Sequence, residues 1–569
     1  MTRRTVTAAN TLLALIIFTI FALNLRLLWD TDSYLHPAIA RHYRLHGIFD
    51  PPPWGRFSMT SSGGDKDLLF HIALIPFTVG DPATGARLGL AVLNALLVGV
   101  LTFVFARGET WWALVLPWWL YLTANPFFTR TVRLRPDIAS LTLLLLTCEA
   151  AARKRWMWCG IFAAVYTLTY TPFHLMIGLA VVWLLVDRYD SGRWEWRIPA
   201  WMWSGVAIGL VARPHPIENL KLWYAQNVTF YSLVDKLDIG QEVEPPRLMI
   251  VLPLIAGWLI GMIILYLATR TATPAATKWE WLVYAATLAV FFVLYVRMNK
   301  MSIYFYPLAV ATLLRWRASQ GKRLVWWAAP ALLLSIAAAL PTLAHPTLLG
   351  ILGLRGEVAT ETDLEHFGQA MPAGARVAAT WSDSEMYSFW APQGRYLNIY
   401  DSTFMYIPYP KLWEAQQAMF EGKLPDIPST MRGPLQSEFI AFDGTGAPPE
   451  FIDRVRNDPR LRVVYGGYNV LLTYNAAGEN AFVRDWNGGH QNAYVTGCQA
   501  FATEVNGPQR YEFAPWDRAT LAIDGVQYVE VRRPLHAVLG RGARIDVPAG
   551  SHHVEVRTCG GFYLLKNIR

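Results

Sequence analysis

Long apolar runs alternate with short polar connections over the first 345 positions of the chain. The first run follows a short basic start, MTRR, and reaches Asn24 without a small-residue cleavage site, which predicts an uncleaved helix rather than a signal peptide. Further runs lie near residues 85–106, 110–124, 137–152, 156–170, 172–186, 198–211, 249–269, 280–297, 301–314 and 324–343. Their length and apolarity predict about eleven membrane helices.

The pattern changes after residue 345. Residues 356–475 begin with a helix-like stretch and continue as short apolar runs between Gly, Pro, Asp and Ser, which predicts a small α/β domain. Residues 480–569 alternate apolar and polar positions around glycine turns, as in a β-sandwich. The expected fold class is an α-helical polytopic membrane protein, residues 1–345, with a C-terminal α/β plus β-sandwich region.

Composition agrees with this division. The chain has 569 residues, 53% of them hydrophobic and 16% charged, with 25 Trp, which is too apolar and too aromatic for an ordinary soluble domain. Its mean hydropathy of +0.25 is nevertheless modest, because the C-terminal third reads as water-soluble.

The basic residues predict the orientation. If the chain starts in the cytoplasm, each inside connection carries Arg or Lys, as the positive-inside rule requires. These connections are MTRR, ARGE, AARKR, DRYDSGRWEWR, TRTATPAATK and RWRASQGKR. The net charge of +8 is therefore read as an orientation signal, and no nucleic-acid partner is expected. We expect a multi-pass protein of a bacterial inner membrane, with its C-terminal domains in the periplasm.

Cysteine positions fit that orientation. Cys148 and Cys159 fall in or near membrane helices, whereas Cys498 and Cys559 both fall in the external region. An oxidising compartment permits a disulfide between the latter two, the alternative being two free thiols.

Two external connections are long, residues 29–67 and 212–247. The first begins WDTDSYLHPAIARHY, with Asp30 and Asp32 ahead of a stretch at helical spacing that is typical of an interfacial helix. Asp32 is expected at or just before the start of this helix, where a negative charge is favoured. It is either a capping residue only or part of a site.

The same loop returns to the membrane through GGDKDLLFH. A glycine pair precedes Asp65, Lys66 and Asp67, and His71 lies four residues past Asp67, on the same helical face. The segment is either a solvated charged turn or a site that combines a carboxylate base with a cation for a phosphate.

Polar residues recur at the other external connections. Any one of them could anchor a helix at the interface. Their recurrence favours a phosphate or pyrophosphate clamp, since Arg makes bidentate contacts with phosphate oxygens. The candidates are Arg133, Arg135, Asp137, His174, Arg213, His215, Glu218, Arg297, Lys300 and Tyr304.

This layout and these motifs resemble the GT-C superfamily of integral membrane glycosyltransferases, which use polyprenyl-linked sugars. TDSYLHPAIAR is similar to a stretch in the lipid A aminoarabinose transferases and protein O-mannosyltransferases, and DSYLH to the first Asp motif of oligosaccharyltransferases. DKDLLFH stands where the aminoarabinose transferases have a Lys-Pro-Pro-Leu run; Lys66 matches the lysine, and the prolines are absent. The resemblance covers roughly residues 1–345 in layout.

The resemblance implies a role for each candidate. Asp32 would be the catalytic carboxylate that deprotonates or orients the acceptor, assisted by Asp65 or Asp67. Lys66, Lys300 and the external arginines would stabilise the departing lipid phosphate. Some members of the superfamily need a metal and others do not; Asp30 and Asp32 would suit Mg²⁺ or Mn²⁺, and metal use stays open.

The implied activity is transfer of a hexose or pentose from a polyprenyl-phosphate-linked donor to a glycan, lipid or protein acceptor on the extracytoplasmic face. A polysaccharide assembly factor or a transporter of lipid-linked glycans is the non-catalytic alternative, although transporters usually place ionisable residues near the bilayer midplane and show internal repeats. An oligosaccharide ligase or polymerase is the third hypothesis, differing in how much sugar is moved.

Overall fold

The computed structural model describes the chain except residues 1, 26–27, 108–109, 235, 238–240, 344–360, 445, 475–489, 494–498, 516–518, 532–542, 559–561 and 567–569. The chain divides into two compact units. The membrane unit comprises Met1–Leu23, Ile39–Pro51 and Ser62–His345. The C-terminal unit comprises Asn24–Ala38, Pro52–Ser61 and Pro346–Arg569.

Among the described residues, fifteen α-helices precede residue 344, and the second of them is divided between the two units. They are α1 (Arg3–Leu23), α2 (Asp32–His46), α3 (Leu68–Leu74), α4 (Pro82–Phe105), α5 (Trp112–Thr123), α6 (Asn125–Thr131), α7 (Pro136–Ala152), α8 (Trp156–Thr169), α9 (His174–Ser191), α10 (Arg197–Val211), α11 (Pro216–Asn227), α12 (Leu248–Leu267), α13 (Lys278–Arg297), α14 (Ser302–Ser319) and α15 (Ala328–Leu343). Strands β1 (Thr269–Thr271) and β2 (Lys322–Leu324) form an antiparallel pair.

A helix lies at each of the apolar runs that predicted a membrane span: α1, α4, α5, α7, α8, α9, α10, α12, α13, α14 and α15. Within the described residues, α1, α4, α12 and α13 are the helices whose length and composition suffice to cross a membrane. The protein is a membrane protein, and the number of helices that cross the bilayer stays a prediction.

Small residues let α8 and α10 pack closely. A Cβ atom added to Gly205 would lie 2.1 Å from the carbonyl oxygen of Gly160. A Cβ atom at Gly209 would lie 2.7 Å from the side chain of Thr167. Close approach of helix backbones at small residues is the usual means of packing helices in a membrane, where apolar side chains gain little by leaving lipid.

A buried ion-pair network joins four helices of the membrane unit and the connection after α4. The guanidinium of Arg315 on α14 is 1% exposed, contacts Glu149 on α7, and lies 3.0 Å from Glu280 on α13. Arg3 on α1 donates to Glu149 at 3.1 Å, and Arg107 donates to Glu280 at 2.9 Å. Each buried carboxylate thus has more than one cation, as burial of a charge requires.

The α/β part of the C-terminal unit contains a five-stranded sheet in the order β4-β3-β5-β7-β6. Its strands are β3 (Arg376–Ala378), β4 (Arg395–Tyr396), β5 (Phe439–Asp443), β6 (Leu461–Gly466) and β7 (Asn469–Tyr474). β3 runs parallel to β4 and β5, and β7 runs antiparallel to β5 and β6. Its helices are α16 (Glu361–Ala370), α17 (Trp381–Trp390), α18 (Thr403–Tyr406), α19 (Pro410–Phe420), α20 (Ile427–Arg432) and α21 (Pro449–Asn457).

The last strands form one antiparallel sheet in the order β11-β10-β12-β9-β13-β8. They are β8 (His490–Ala493), β9 (Gln499–Pro515), β10 (Ala519–Ile523), β11 (Val526–Val531), β12 (Ala543–Thr558) and β13 (Phe562–Lys566). An apolar cluster that includes Phe513, Leu521 and Val554 forms its core. The strand-rich character agrees with the sequence, while the second sheet that a sandwich needs stays a prediction.

The cysteines divide in the same way. Cys148 and Cys159 are buried free thiols in the membrane unit. Cys498 and Cys559, the predicted disulfide, lie outside the described residues.

Candidate active site

Asp65 lies at the centre of a buried hydrogen-bond group in the membrane unit. One carboxylate oxygen accepts a bond from the Tyr43 hydroxyl at 2.8 Å and lies 2.7 Å from Nδ1 of His71. The other oxygen accepts the backbone N–H of Asp67 at 2.9 Å. Tyr43 lies on α2 and His71 on α3, so Asp65 links these two helices through hydrogen bonds.

The partners of Asp65 keep it ionised. Burial alone would raise the pKa of this carboxyl, but the His71 ring and the bonds from Asp67 and Tyr43 lower the pKa to about 2. A carboxylate whose two oxygens are both engaged holds the loop in place, and it has little freedom to accept a proton from a substrate.

Asp67 lies in a different environment. It is 2% exposed, and its Oδ1 accepts a bond from the Thr171 hydroxyl at 3.3 Å. Burial raises its pKa above the usual range, against the opposing charges of Lys66, His71 and Arg213. It precedes α3 without using its side chain as a cap. A carboxyl with a raised pKa holds a proton more readily than an ordinary aspartate, which suits a role in proton transfer.

The glycine pair before Asp65 permits a close approach to the start of α11. Gly63 has φ +86°, a region that favours glycine, and a Cβ atom there would lie 3.1 Å from the ring of His215. A Cβ atom on Gly64 would lie 2.7 Å from Leu222. The carboxylate of Glu218 accepts a bond from Ser62 at 3.2 Å, which adds a polar contact between this loop and α11.

A second group, the arginine cluster, comprises Arg130, Arg133 and Arg135 around the carboxylate of Glu242. Nη1 of Arg130 lies 2.7 Å from Oε1 of Glu242, Arg133 contacts the same oxygen, and Nη1 of Arg135 lies 2.9 Å from Oε2. Arg130 also donates to Asp137 at 2.9 Å. The arginines lie on α6 and the turn before α7, whereas Glu242 lies on the short 3-10 turn Gln241–Val243 of the second long loop.

The three guanidinium groups lower the pKa of Glu242 well below its usual range, although burial opposes the shift. A carboxylate with three arginines is a strongly stabilised anion. The same geometry would accept a phosphate, because guanidinium groups pair with carboxylate and phosphate oxygens alike.

Lys300 connects the two groups electrostatically. Burial lowers the pKa of its amine, the charges of Asp137 and Glu242 oppose that shift, and Arg130 and Lys66 add to it. His174 also experiences the charge of Lys300, and its Nδ1 accepts a bond from the indole of Trp223 at 3.1 Å. Lys300 thus interacts electrostatically with Lys66 of the acidic loop and with Arg130 and Glu242 of the arginine cluster.

Three further candidates in the membrane unit lie in different environments. The hydroxyl of Tyr304 is buried and lies 2.6 Å from that of Ser140, next to the first turn of α7. Arg297 is exposed at the end of α13, and no contact between described residues joins it to the arginine cluster. Arg213 is 5% exposed and donates to the carbonyl of Thr167.

Asp30 and Asp32 belong to the C-terminal unit. The carboxylate of Asp30 accepts the backbone N–H of Ser33 at 3.0 Å and also the Ser33 hydroxyl. Asp30 therefore serves the first turn of α2, while Asp32 is the first residue of this helix and is partly exposed. No group of three His, Cys, Asp or Glu side chains that could hold a metal occurs among the described residues.

Sequence reasoning did not single out Tyr43 or Glu242. Tyr43 lies in the stretch that was expected to form an interfacial helix and drew no role of its own. Glu242 lies in QEVEPP, a stretch without periodicity in which it is one of two acids, and nothing in the sequence distinguishes it from Glu244.

Comparisons with known proteins give structural matches. No family model and no curated protein matches the sequence. The apo structure of ArnT from Cupriavidus metallidurans matches at TM-score 0.52 and 14% identity, over 84% of this chain and 99% of that one. The same protein bound to undecaprenyl phosphate matches at TM-score 0.50 and 15% identity, over 83% and 98%. An oligosaccharyltransferase from Archaeoglobus fulgidus, tethered to an acceptor peptide, matches at TM-score 0.49 and 12% identity, over 76% and 69%. The chain has a GT-C-like fold.

Proposed function

From its GT-C-like fold, we propose that this protein is a membrane glycosyltransferase that moves a sugar from a polyprenyl-phosphate-linked donor to an acceptor on the extracytoplasmic face. The observation that carries the proposal is the arginine cluster, in which three guanidinium groups surround a single carboxylate beside Lys300. The three arginines and Lys300 outnumber the carboxylates of Glu242 and Asp137, and the excess positive charge suits a phosphate that leaves during the reaction.

The donor phosphate is proposed to bind at the arginine cluster, with Lys66 and Lys300 at its side. Positive charge at this point stabilises the oxygen that becomes negative as the bond between sugar and phosphate breaks. The structural neighbour that was solved with undecaprenyl phosphate makes this class of lipid the first candidate.

Asp32 is proposed to take the proton of the acceptor nucleophile. The acceptor oxygen or nitrogen then attacks the anomeric carbon, the bond from that carbon to the phosphate oxygen breaks, and the polyprenyl phosphate leaves with the electron pair. Asp67, with its raised pKa, is placed in the role of assistant, and Asp65 in that of a positioning residue.

The acceptor is proposed to be a glycan, lipid or protein, with the C-terminal unit contributing to its recognition. The two sheets of this unit and the helices of its α/β part offer backbone and side-chain groups that could contact a polymer. The size of the donor that the site admits decides whether one sugar or a preassembled oligosaccharide is moved.

Purified full-length protein in lipid nanodiscs tests the proposal. Undecaprenyl phosphate binding is measured first, then lipid-phosphate release from a panel of undecaprenyl-phosphate sugars with candidate acceptors. Arg135→Gln is expected to weaken undecaprenyl phosphate binding about 10-fold, since a bond between charged groups contributes about 1.5–3 kcal/mol. Arg247→Gln is the matched control, because that arginine is exposed and pairs only locally with Glu244.

For the chemical step, Asp32→Asn is expected to abolish phosphate release while leaving undecaprenyl phosphate binding intact. Asp81→Asn, at the exposed start of α4, serves as the control for loss of a carboxylate. Unchanged release in Asp32→Asn would remove the assignment of Asp32. Binding without release for every donor and acceptor would instead favour a transport or assembly role.

A further inference from the structure

Part of the first long loop, residues 52–61, belongs to the C-terminal unit and is attached there through backbone hydrogen bonds. The N–H of Arg56 donates to the carbonyl of Tyr396 at 2.9 Å, and that of Phe57 donates to Leu397 at 2.8 Å. The buried indole of Trp54 donates to the carbonyl of Pro392 at 2.9 Å. Residues 54–57 therefore lie against β4 and the residues that follow it as an irregular segment with a turn at Arg56 and Phe57.

The side chain of Arg56 strengthens this attachment. Its guanidinium donates to the carbonyl of Leu435 at 3.2 Å, to that of Gln436 at 3.1 Å, and to the hydroxyl of Ser437 at 2.7 Å. Phe57 packs against the apolar core of the α/β part. Arg56 thus bonds to three acceptors on the turn at residues 435–437 and fixes this part of the loop there.

The near end of the loop is attached at a different place, helix α17. The Thr31 hydroxyl donates to Oε2 of Glu385 at 2.6 Å, and Glu385 is fully buried. Tyr34, 3% exposed, packs edge to face against Phe389 with ring centroids 5.4 Å apart. The Tyr34 hydroxyl in turn accepts the backbone N–H of Leu28 at 3.0 Å.

Helix α17 is itself held firmly. Its N-cap Thr380 accepts the backbone N–H of Asp383 at 3.2 Å, and Tyr387 donates to Asn469 on β7 at 2.8 Å within the buried core. A helix fixed at its start and at its middle is a rigid support for what it binds.

Asp32 lies between the two anchored residues, Thr31 and Tyr34. Thr31 immediately precedes α2, and its carbonyl accepts the backbone N–H groups of Tyr34 and Leu35, so both anchors are tied to the first turn of this helix. We propose that Thr31 and Glu385 form a positioning pair, through which α17 of the C-terminal unit sets the place of the Asp32 carboxylate. This rests on the proposed function, in which Asp32 takes the acceptor proton.

Variants of the positioning pair are expected to change the rate of the chemical step without changing the affinity for the donor phosphate. Donor phosphate binds to groups of the membrane unit in the proposed function, so loss of the pair leaves that affinity unchanged. Loss of the pair misplaces the base, and a displacement of about 1 Å in an active site lowers the rate about 100-fold. The expected signature is therefore a lower kcat with an unchanged Kd for undecaprenyl phosphate.

Isosteric variants of the full-length protein test the pair. Thr31→Val removes the hydroxyl and Thr31→Ser retains it, while Glu385→Leu removes the acceptor and Glu385→Gln retains an oxygen. We expect Thr31→Val and Glu385→Leu each to lower kcat about 10- to 100-fold, the double variant to be no worse than either single one, and the retaining variants to restore the rate. Thr473→Val, which loses an exposed hydroxyl bond to the Glu438 carbonyl, is the control.

Hydrogen exchange tests, without any substrate, whether the Thr31–Glu385 bond holds residues 28–38 in place. In Thr31→Val, the amides of residues 28–38 are expected to exchange at least 10-fold faster, while those of α17 stay protected. Unchanged exchange in residues 28–38 overturns the pair, whatever the protein does to polyprenyl phosphates. Faster exchange combined with absent undecaprenyl phosphate binding in the wild-type protein retains the pair and removes the proposed function instead.

Discussion

Glu242 and the donor phosphate are expected to compete for the same arginines. Its carboxylate occupies the position that the proposed function gives to the donor phosphate. Both anions cannot hold the same guanidinium groups at full strength, so donor binding is expected to displace Glu242.

Glu242→Gln should therefore tighten binding of undecaprenyl phosphate, because the arginines lose an internal competitor. We expect Kd to fall about 10-fold, the counterpart of one charged hydrogen bond. Titration of the lipid phosphate into nanodisc-embedded protein measures it. A gain in affinity is informative because a misfolded variant does not produce one.

Glu244→Gln is the matched control, two residues away on the same loop and exposed. It should leave the affinity as it is. If Glu242→Gln weakens binding, the carboxylate holds the arginines in place for the ligand instead of competing with it.

For single residues, the sequence indicated which side chains are candidates for the site but not what each of them does. Asp65 and Asp67 are two positions apart and look equivalent in GGDKD, yet one is engaged on both oxygens and the other keeps a raised pKa. The difference comes chiefly from the His71 ring, which pairs with Asp65, with a smaller contribution from the distant Tyr43, whereas burial dominates at Asp67. Asp30, a metal candidate beside Asp32, turned out to hold the first turn of α2.

Among the helices, the contact between α8 and α10 depends on the absence of side chains. Gly205→Ala places a methyl group against the carbonyl of Gly160, so the helices have to separate. We expect a loss of about 1–3 kcal/mol of stability, visible as a lower melting temperature of the purified protein.

The comparison for that variant is Gly178→Ala on α9. A Cβ atom there meets nothing within 4 Å, and alanine favours a helix by about 1 kcal/mol over glycine. Gly178→Ala should therefore leave the melting temperature equal or higher. Equal losses in both variants would mean that the α8–α10 approach contributes no special stability.

The long helices were predictable because an apolar run long enough for a bilayer leaves the backbone no other way to satisfy its hydrogen bonds. The short helices α6 and α11 were not, since their sequences are too mixed to show a period. Nor was the network around Arg315 predictable. Glu149 and Glu280 lie on other helices, and sequence spacing does not report such contacts.

The orientation of the whole protein rests on the distribution of Arg and Lys. If the C-terminal unit is extracytoplasmic, a cysteine at exposed Val526 should react with a membrane-impermeant maleimide in intact spheroplasts. A cysteine at Arg193, between α9 and α10, should react only after detergent is added. Labelling relative to the wild-type background measures both, and the reverse pattern would invert the topology.

The sequence predicted a soluble region that begins after residue 345, and a loop that precedes it by about 300 positions. It could not predict that parts of this loop belong to the same compact unit. Arg56 and Thr31 carry no periodic signal, and their acceptors on residues 385 and 435–437 become neighbours only through the fold.

The Thr31–Glu385 bond also has a consequence for biosynthesis. Its two partners are 354 residues apart, and a ribosome that adds about 5–20 residues per second needs roughly 20–70 s to make that stretch. During this interval the first loop has left the ribosome, but the residues that it contacts in the C-terminal unit have not been synthesised. Trp54 and Tyr34 therefore lack their final contacts. The cell must keep that loop from aggregating or being cleaved until the end of the chain emerges, and a protein cut between the two regions would leave neither piece complete.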